Sequence, residues 1–226
     1  MKIKQNSLII SCQAVEGEIL HGYGIMHLMA KAAVYGGADG IRANSVSDIN
    51  DIQKTVDVPV IGIIKAVYPG SDVYITPTMK ELKALLEGTK VDVIALDATF
   101  RTRPGGEQLA DLVRYARENY PQVELMADCA TYEEAQNADR MGFDYVGTTL
   151  RGYTADTKGI AIPDTDLLKQ MTSTLKAKVI AEGGIWEVGQ LREVLKTGVH
   201  AVVIGSSVTR PADITKRFKK EFEALK

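Results

Sequence analysis

Short apolar runs alternate with longer amphipathic stretches along the whole chain. The runs are Leu8–Cys12, Gly40–Ile41, Val60–Ile64, Val91–Leu96, Val123–Ala127, Tyr145–Val146, Val179–Ala181 and Ala201–Ile204. Most are continuously apolar, the pattern of parallel strands buried on both faces. Between them apolar residues recur at helical spacing, over roughly 24–36, 45–55, 78–87, 107–119, 131–141, 164–174, 186–196 and 211–224. Eight strands, each followed by a helix, predict one α/β domain over residues 1–226, a closed (β/α)8 TIM barrel. Gly37-Ala38-Asp39, Gly142-Phe143-Asp144 and Gly198-Val199-His200 each close a helix and open an even-numbered strand, and Gly88 with Val91-Asp92 is a looser version. Long loops follow the third, fourth and sixth strands (65–77, 97–106 and 148–163), on the side of the barrel where lids belong.

The last βαβ unit carries the clearest chemical signal. Its strands end in Glu182-Gly183-Gly184 and Gly205-Ser206-Ser207. Neighbouring strands that end in glycine present bare backbone N–H groups at one rim, a place that holds phosphate. The usual phosphate site of this barrel class lies after strands 7 and 8, which is where these turns fall.

Nearly every strand runs into a polar residue: Gln13, Arg42, Lys65, Asp97, Asp128, the Thr148–Thr149 pair, Glu182 and Ser206. Layers inside such barrels draw on alternate strands. The odd strands then predict one polar layer of Gln13, Lys65, Asp128 and Glu182, with Lys65 and Glu182 facing each other. A lysine that loses its proton in a low-dielectric site and a glutamate that keeps one form a base and an acid, suited to moving a proton next to a carbonyl. The other reading of this pair is a buried ion pair that holds the barrel together. Asp128 is expected to orient Lys65, and Arg42 and Gln13 to hold polar ligand groups. Tyr68, Tyr74 and Tyr153 lie on rim loops, Trp186 is expected to pack, and Arg101 and Arg103 are expected in solvent. No histidine stands at a strand end, so no histidine metal site is expected.

Composition narrows the classes. The 226 residues carry a formal net charge of −2, which offers no basic footprint for nucleic acid. No apolar stretch approaches the about 18 residues of a membrane span. The start lacks a signal-peptide core, and Cys12 and Cys129 form no disulfide framework or zinc spacing, so a cytoplasmic protein is expected.

Ten segments in order make the chain recognisable: SCQA (11–14), GIRANS (40–45), PVIGIIK (59–65), YITPT (74–78), VIALDAT (93–99), MADCAT (126–131), GFDYVGTTLRGYT (142–154), VIAEGGI (179–185), VVIGSSVTRP (202–211) and TRPADITKRF (209–218). Over its full length the sequence resembles the N-acetylmannosamine-6-phosphate 2-epimerase family of bacterial sialic-acid catabolism. The resemblance implies interconversion of N-acetylmannosamine 6-phosphate and N-acetylglucosamine 6-phosphate at carbon 2, with no metal and no organic cofactor. It implies that Lys65 and Glu182 are the acid/base residues and that Gln13, Arg42 and Asp128 contact the sugar. Thr149 joins the substrate-binding set. Arg210 joins Gly183, Gly184, Gly205 and Ser206 at phosphate. The expected partner is a small phosphorylated amino sugar, with no nucleic acid and no membrane. A homodimer is compatible with the sequence, which does not set the oligomeric state. Metal-dependent phosphosugar barrels and a non-catalytic sugar-phosphate sensor are the competing readings; the missing histidines argue against the first, and retention of both Lys65 and Glu182 against the second.

Overall fold

The computed structural model describes residues 1–225. Eight parallel strands close into a barrel in chain order: β1 (Ser7–Cys12), β2 (Gly40–Asn44), β3 (Val60–Ile63), β4 (Val93–Asp97), β5 (Glu124–Asp128), β6 (Tyr145–Gly147), β7 (Lys178–Glu182) and β8 (Ala201–Ile204), with β8 pairing back onto β1. The helices between and after them are α1 (Met26–Tyr35), α2 (Val46–Gln53), α3 (Met79–Gly88), α4 (Leu109–Asn119), α5 (Tyr132–Arg140), α6 (Thr165–Thr174), α7 (Val188–Leu195), a short α8 (Ser206–Thr209) and α9 (Pro211–Ala224). The expected (β/α)8 architecture is the one observed. The short α8 was not expected, because a single turn leaves no periodic signal.

Two apolar clusters hold the barrel. Ile9, Ile61, Ile63, Val93, Met126, Ile180 and Val203 fill its interior. The outward faces of the strands pack under the helices, with residues such as Ile41, Leu85, Ile94, Leu112 and Leu168. Contact across the outer layer is close. A Cβ added to Gly62 of β3 would lie 2.7 Å from Val91 and 3.2 Å from Ile49, so that strand–helix approach depends on glycine.

The Gly-x-Asp repeat has a structural cause. Asp39, Asp92 and Asp144 stand just before even strands, and each carboxylate reaches back to a main-chain N–H at the start of the preceding odd strand. The amides of Leu8, Val60 and Leu125 donate to them at 2.8, 3.0 and 2.8 Å. Each aspartate thereby ties together the base of two adjacent strands. In the fourth quarter His200 takes this place. Its amide still donates to the Val179 carbonyl at 2.7 Å, while its ring bonds Gln5 and the Ile3 carbonyl at the barrel floor.

Two expectations change at the other rim. β2 extends to Asn44 instead of ending at Ile41, so Arg42 lies within the strand. Its polar residues are tolerated because they are satisfied internally; the Asn44 side chain accepts the Lys65 amide at 2.8 Å. Arg101 and Arg103 are not in solvent either. The Arg101 guanidinium bonds Asp97 at 2.7 Å, and Arg103 is 5% exposed, donating to the carbonyls of Pro77 and Asp97. Arg103 thereby stitches the loop after β3 to the end of β4, where unpaired carbonyls need donors, while Arg101 folds back on Asp97 and Thr99. By contrast, α9 buries none of its residues. Among the described residues no helix is long and apolar enough to cross a membrane.

Candidate active site

The C-terminal rim surrounds a cavity of about 230 Å³ lined by Gln13, Arg42, Lys65, Thr149, Glu182 and the glycine turns after β7 and β8. A larger hollow of about 500 Å³ lies at the opposite rim, between Met1, Leu86, Asp92 and Glu124. It holds none of the residues with candidate chemistry.

Arg42 stands at the centre of the site. Its side chain is 1% exposed and grips Asp128 with both terminal nitrogens, at 2.7 and 3.1 Å. This planar two-point pairing is the strong form of a carboxylate contact. The same Nη1 lies 3.2 Å from Glu182 Oε2. Thr149 completes the group, its hydroxyl 2.6 Å from Asp128 Oδ1 and 3.2 Å from Glu182 Oε2. Thr148 staples the loop after β6 to the end of β7, accepting the Glu182 amide and donating to its carbonyl. The Gly147 position helps: a Cβ there would meet Met126 at 2.5 Å and the Thr149 hydroxyl at 3.2 Å.

The predicted layer of Gln13, Lys65, Asp128 and Glu182 is corrected by the strand register. With the shear of 8 for this barrel, Asp128 and Glu182 share a level with Ser11 and Ile63, and Gln13 and Lys65 stand one level higher. Asp128 accordingly orients Arg42 and not Lys65. The Lys65 ammonium makes no hydrogen bond or ion pair among the described residues, so the ion-pair reading of Lys65 and Glu182 fails: both line the same cavity without touching.

The electrostatics bring both groups toward neutrality. Burial, then the charges of Arg42 and Arg210, lower the Lys65 pKa to about 8, against the pull of Glu182 and Glu18. Burial raises Glu182 to about 7, with Asp128 adding to it and Arg42, the Thr149 contact and Lys65 opposing. For Arg42, burial works against the charge, but Asp128 and Glu182 outweigh it and hold its pKa above the ordinary value.

Polar groups without a protein partner point to a ligand. Gln13 donates to the Ser11 hydroxyl at 2.6 Å, leaving its buried Oε1 unpartnered. Buried acceptors are rarely left so. The amides of Gly183, Gly184, Gly205, Ser206 and Ser207 donate to no protein acceptor among the described residues. Gly184 has φ +74°, and a Cβ there would run into the Ile162 backbone at 2.7 Å, where the loop after β6 closes over the turn. Arg210 lines the same side of the cavity, paired with Glu18 at 2.9 Å. Sequence reasoning missed Glu18, which sits in an irregular loop, and Ser11, although Ser11 is two residues from Gln13 and so on the same strand face. Tyr74, Tyr153 and Trp186 also line the cavity. Tyr68 instead donates to Glu81. No cluster of three His, Cys, Asp or Glu among the described residues could hold a metal ion.

Comparison with known proteins places this geometry in context. The family described as "Putative N-acetylmannosamine-6-phosphate epimerase" matches residues 26–224. A protein of Shouchella clausii named "Putative N-acetylmannosamine-6-phosphate 2-epimerase" is 54% identical over 96% of this chain and 96% of its own. A Staphylococcus saprophyticus protein of the same name is 53% identical, covering 96% of this chain and 97% of its own. Among solved structures, the N-acetylmannosamine-6-phosphate 2-epimerase of Clostridium perfringens superposes with a TM-score of 0.92 at 45% identity, over 96% of this chain and 94% of that one.

Removing the Arg42 charge leaves the fully buried Asp128 carboxylate uncompensated, with Glu182 close beside it. Arg42→Met is expected to destabilise the fold by about 3–5 kcal/mol, measured by denaturant unfolding. A change below about 1 kcal/mol would contradict the central place given to this residue.

Proposed function

The chain belongs to the N-acetylmannosamine-6-phosphate epimerase family, and from that premise we propose that it interconverts N-acetylmannosamine 6-phosphate and N-acetylglucosamine 6-phosphate, with Lys65 and Glu182 as the acid/base pair. The reaction belongs to the breakdown of sialic acid and amino sugars. Carbon 2 of the open-chain sugar bears the acetamido group and neighbours the aldehyde. Removing its proton gives an enolate, and returning a proton to the opposite face inverts the centre. The observation that carries the assignment is that Lys65 and Glu182 open onto one cavity without pairing with each other, each titrating close to neutral pH.

The pair must hold one proton between its members. With Lys65 neutral and Glu182 protonated, the lysine removes the carbon-bound proton and the glutamic acid supplies the new one; the converse state serves the reverse direction. Gln13 Oε1 is an acceptor for a sugar hydroxyl or the acetamido N–H. The guanidinium of Arg42, held in place by Asp128, offers its positive field to the developing enolate. The unpartnered amides of Gly183, Gly184, Gly205 and Ser206 receive the phosphate, joined by Arg210, which exchanges Glu18 for the ligand. Phosphate bound far from carbon 2 supplies energy that positions the reacting carbon. This chemistry asks for no metal or organic cofactor.

The direct test incubates the protein with N-acetylmannosamine 6-phosphate after chelation and follows the 2-epimer by NMR. Lys65→Met and Glu182→Gln are expected to remain folded by circular dichroism and to lose roughly 10²–10⁴-fold in turnover. Near-normal turnover by Lys65→Met would remove the assignment, as would activity that needs an added divalent ion.

Arg210→Ala is expected to raise KM about tenfold or more and to change kcat less, because a charged donor to phosphate is lost while the proton-transfer groups remain. An unchanged KM would move the phosphate elsewhere.

The rate should depend on pH as a bell. Below about 7 Glu182 and Lys65 are both protonated and no base remains. Above about 8 both have lost their protons and no acid remains. A profile of kcat/KM with inflections near these two values is expected, and a flat profile from pH 6 to 9 (about one unit beyond each) would contradict the pairing.

A further inference from the structure

The contacts of Glu182 reveal a shortage of protons. Three oxygens stand in a row: Glu182 Oε2, Thr149 Oγ1 at 3.2 Å from it, and Asp128 Oδ1 at 2.6 Å from the hydroxyl. There are two gaps, and the Thr149 hydroxyl owns one proton. Arg42 does not make up the difference. Nη1 carries two N–H groups, and they are directed at Asp128 Oδ1 (3.1 Å) and at the Met126 sulfur (3.7 Å). Its 3.2 Å approach to Glu182 is a charge contact without a hydrogen bond. While Glu182 is a carboxylate, one of the two gaps therefore sets lone pair against lone pair. When Glu182 carries a proton on Oε2, both gaps are bridged, in a chain that runs from Glu182 through Thr149 to Asp128.

We propose that Thr149 is a positioning residue that keeps a proton on Glu182 in the resting enzyme by completing this chain to Asp128. The inference rests on the acid/base reading of Glu182 given above and assigns Thr149 a task other than contacting the sugar. A hydroxyl that pointed its proton at Glu182 would favour the carboxylate, the sense in which the Thr149 contact opposes the rise in the Glu182 pKa. The 2.6 Å contact directs that proton at Asp128 Oδ1 instead, and the lone pair that faces Glu182 at 3.2 Å then favours the acid. Rotation about the Cγ–Cδ bond exchanges the two carboxyl oxygens, so the stored proton can reach the side of Oε1, which makes no hydrogen bond. The charged groups that face Glu182 are Arg42 from β2, Asp128 from β5 and Lys65 after β3.

The test compares wild type, Thr149→Val and Thr149→Ser in the pH dependence of kcat/KM, with Arg42, Asp128 and Lys65 unchanged throughout. Valine keeps the shape and loses the hydroxyl; serine keeps the hydroxyl and loses the methyl. The expected result is an acidic inflection about one pH unit lower in Thr149→Val, a tenfold change in the proton equilibrium, with Thr149→Ser close to wild type. An unchanged or raised inflection in the valine variant overturns the proposal, since a raised one means that the hydroxyl donates to the carboxylate. A shift in the serine variant alone also overturns it, by making the methyl the part that matters. Should valine prevent folding, the serine variant and the ¹³C chemical shift of the Glu182 carboxyl, titrated in wild type and Thr149→Ser, carry the same comparison: equal midpoints are expected, and unequal ones overturn the proposal. If Glu182→Gln leaves the wild-type acidic inflection in place, the acid/base reading itself fails; if it removes the inflection and Thr149→Val does not move it, only the role of Thr149 fails.

Discussion

A guanidinium with 1% of its side chain exposed sits near the top of the barrel interior, and the site is arranged around it. An arginine placed there without partners would not be tolerated, because burying an isolated charge costs far more than a domain's whole stability margin. Arg42 is tolerated because Asp128 meets it through both oxygens and Glu182 stands beside it. The same arrangement leaves the site with two carboxylates for one buried cation. That imbalance, together with burial, is what keeps Glu182 from ionising as readily as an ordinary glutamate. The positive field of Arg42 also reaches Lys65 and eases the loss of its proton. Arg42 thus lowers both groups proposed to transfer protons, while burial and Asp128 lift Glu182 toward Lys65.

The barrel separates what must be rigid from what must be open. Below the site, Ile61, Met126, Ile180 and Val203 fill the interior, and Tyr145, Ile3 and His200 close the floor. Asp39, Asp92 and Asp144 pin the bases of neighbouring strands. Above it, the loops after β3 and β4 are stitched by Arg103, and the loop after β6 closes on Gly184 through Ile162. The turns after β7 and β8 present a row of amides without a protein acceptor among the described residues. Unsatisfied donors in a folded protein are costly unless something fills them, and their clustering with Arg210 on one side of the cavity is what supports the proposed phosphate end.

The sequence alone determined the eight-stranded architecture, the order of the elements and the set of residues gathered at one rim. Each of these follows from local rules: continuous apolar runs for buried strands, helical spacing between them, glycine where the chain must turn tightly, and polar residues where strands leave the core. The ten ordered segments also carried the family resemblance, which the comparisons bear out. Which of the gathered residues touch each other was decided only by the tertiary structure. Register and tilt place Gln13 and Lys65 a level above Asp128 and Glu182, and a one-strand sequence pattern contains neither quantity. Arg42 looked like the residue beyond a short strand, yet it lies inside a longer one, because polar side chains can occupy a barrel interior when partners arrive from strands 86 residues away in the chain. Arg103 looked like a surface residue for the same reason: its acceptor at Pro77 is supplied by a loop that only folding brings near. The protonation of Glu182 is the furthest from the sequence, since it depends on how one hydroxyl proton is shared between oxygens from β5, β7 and the loop after β6.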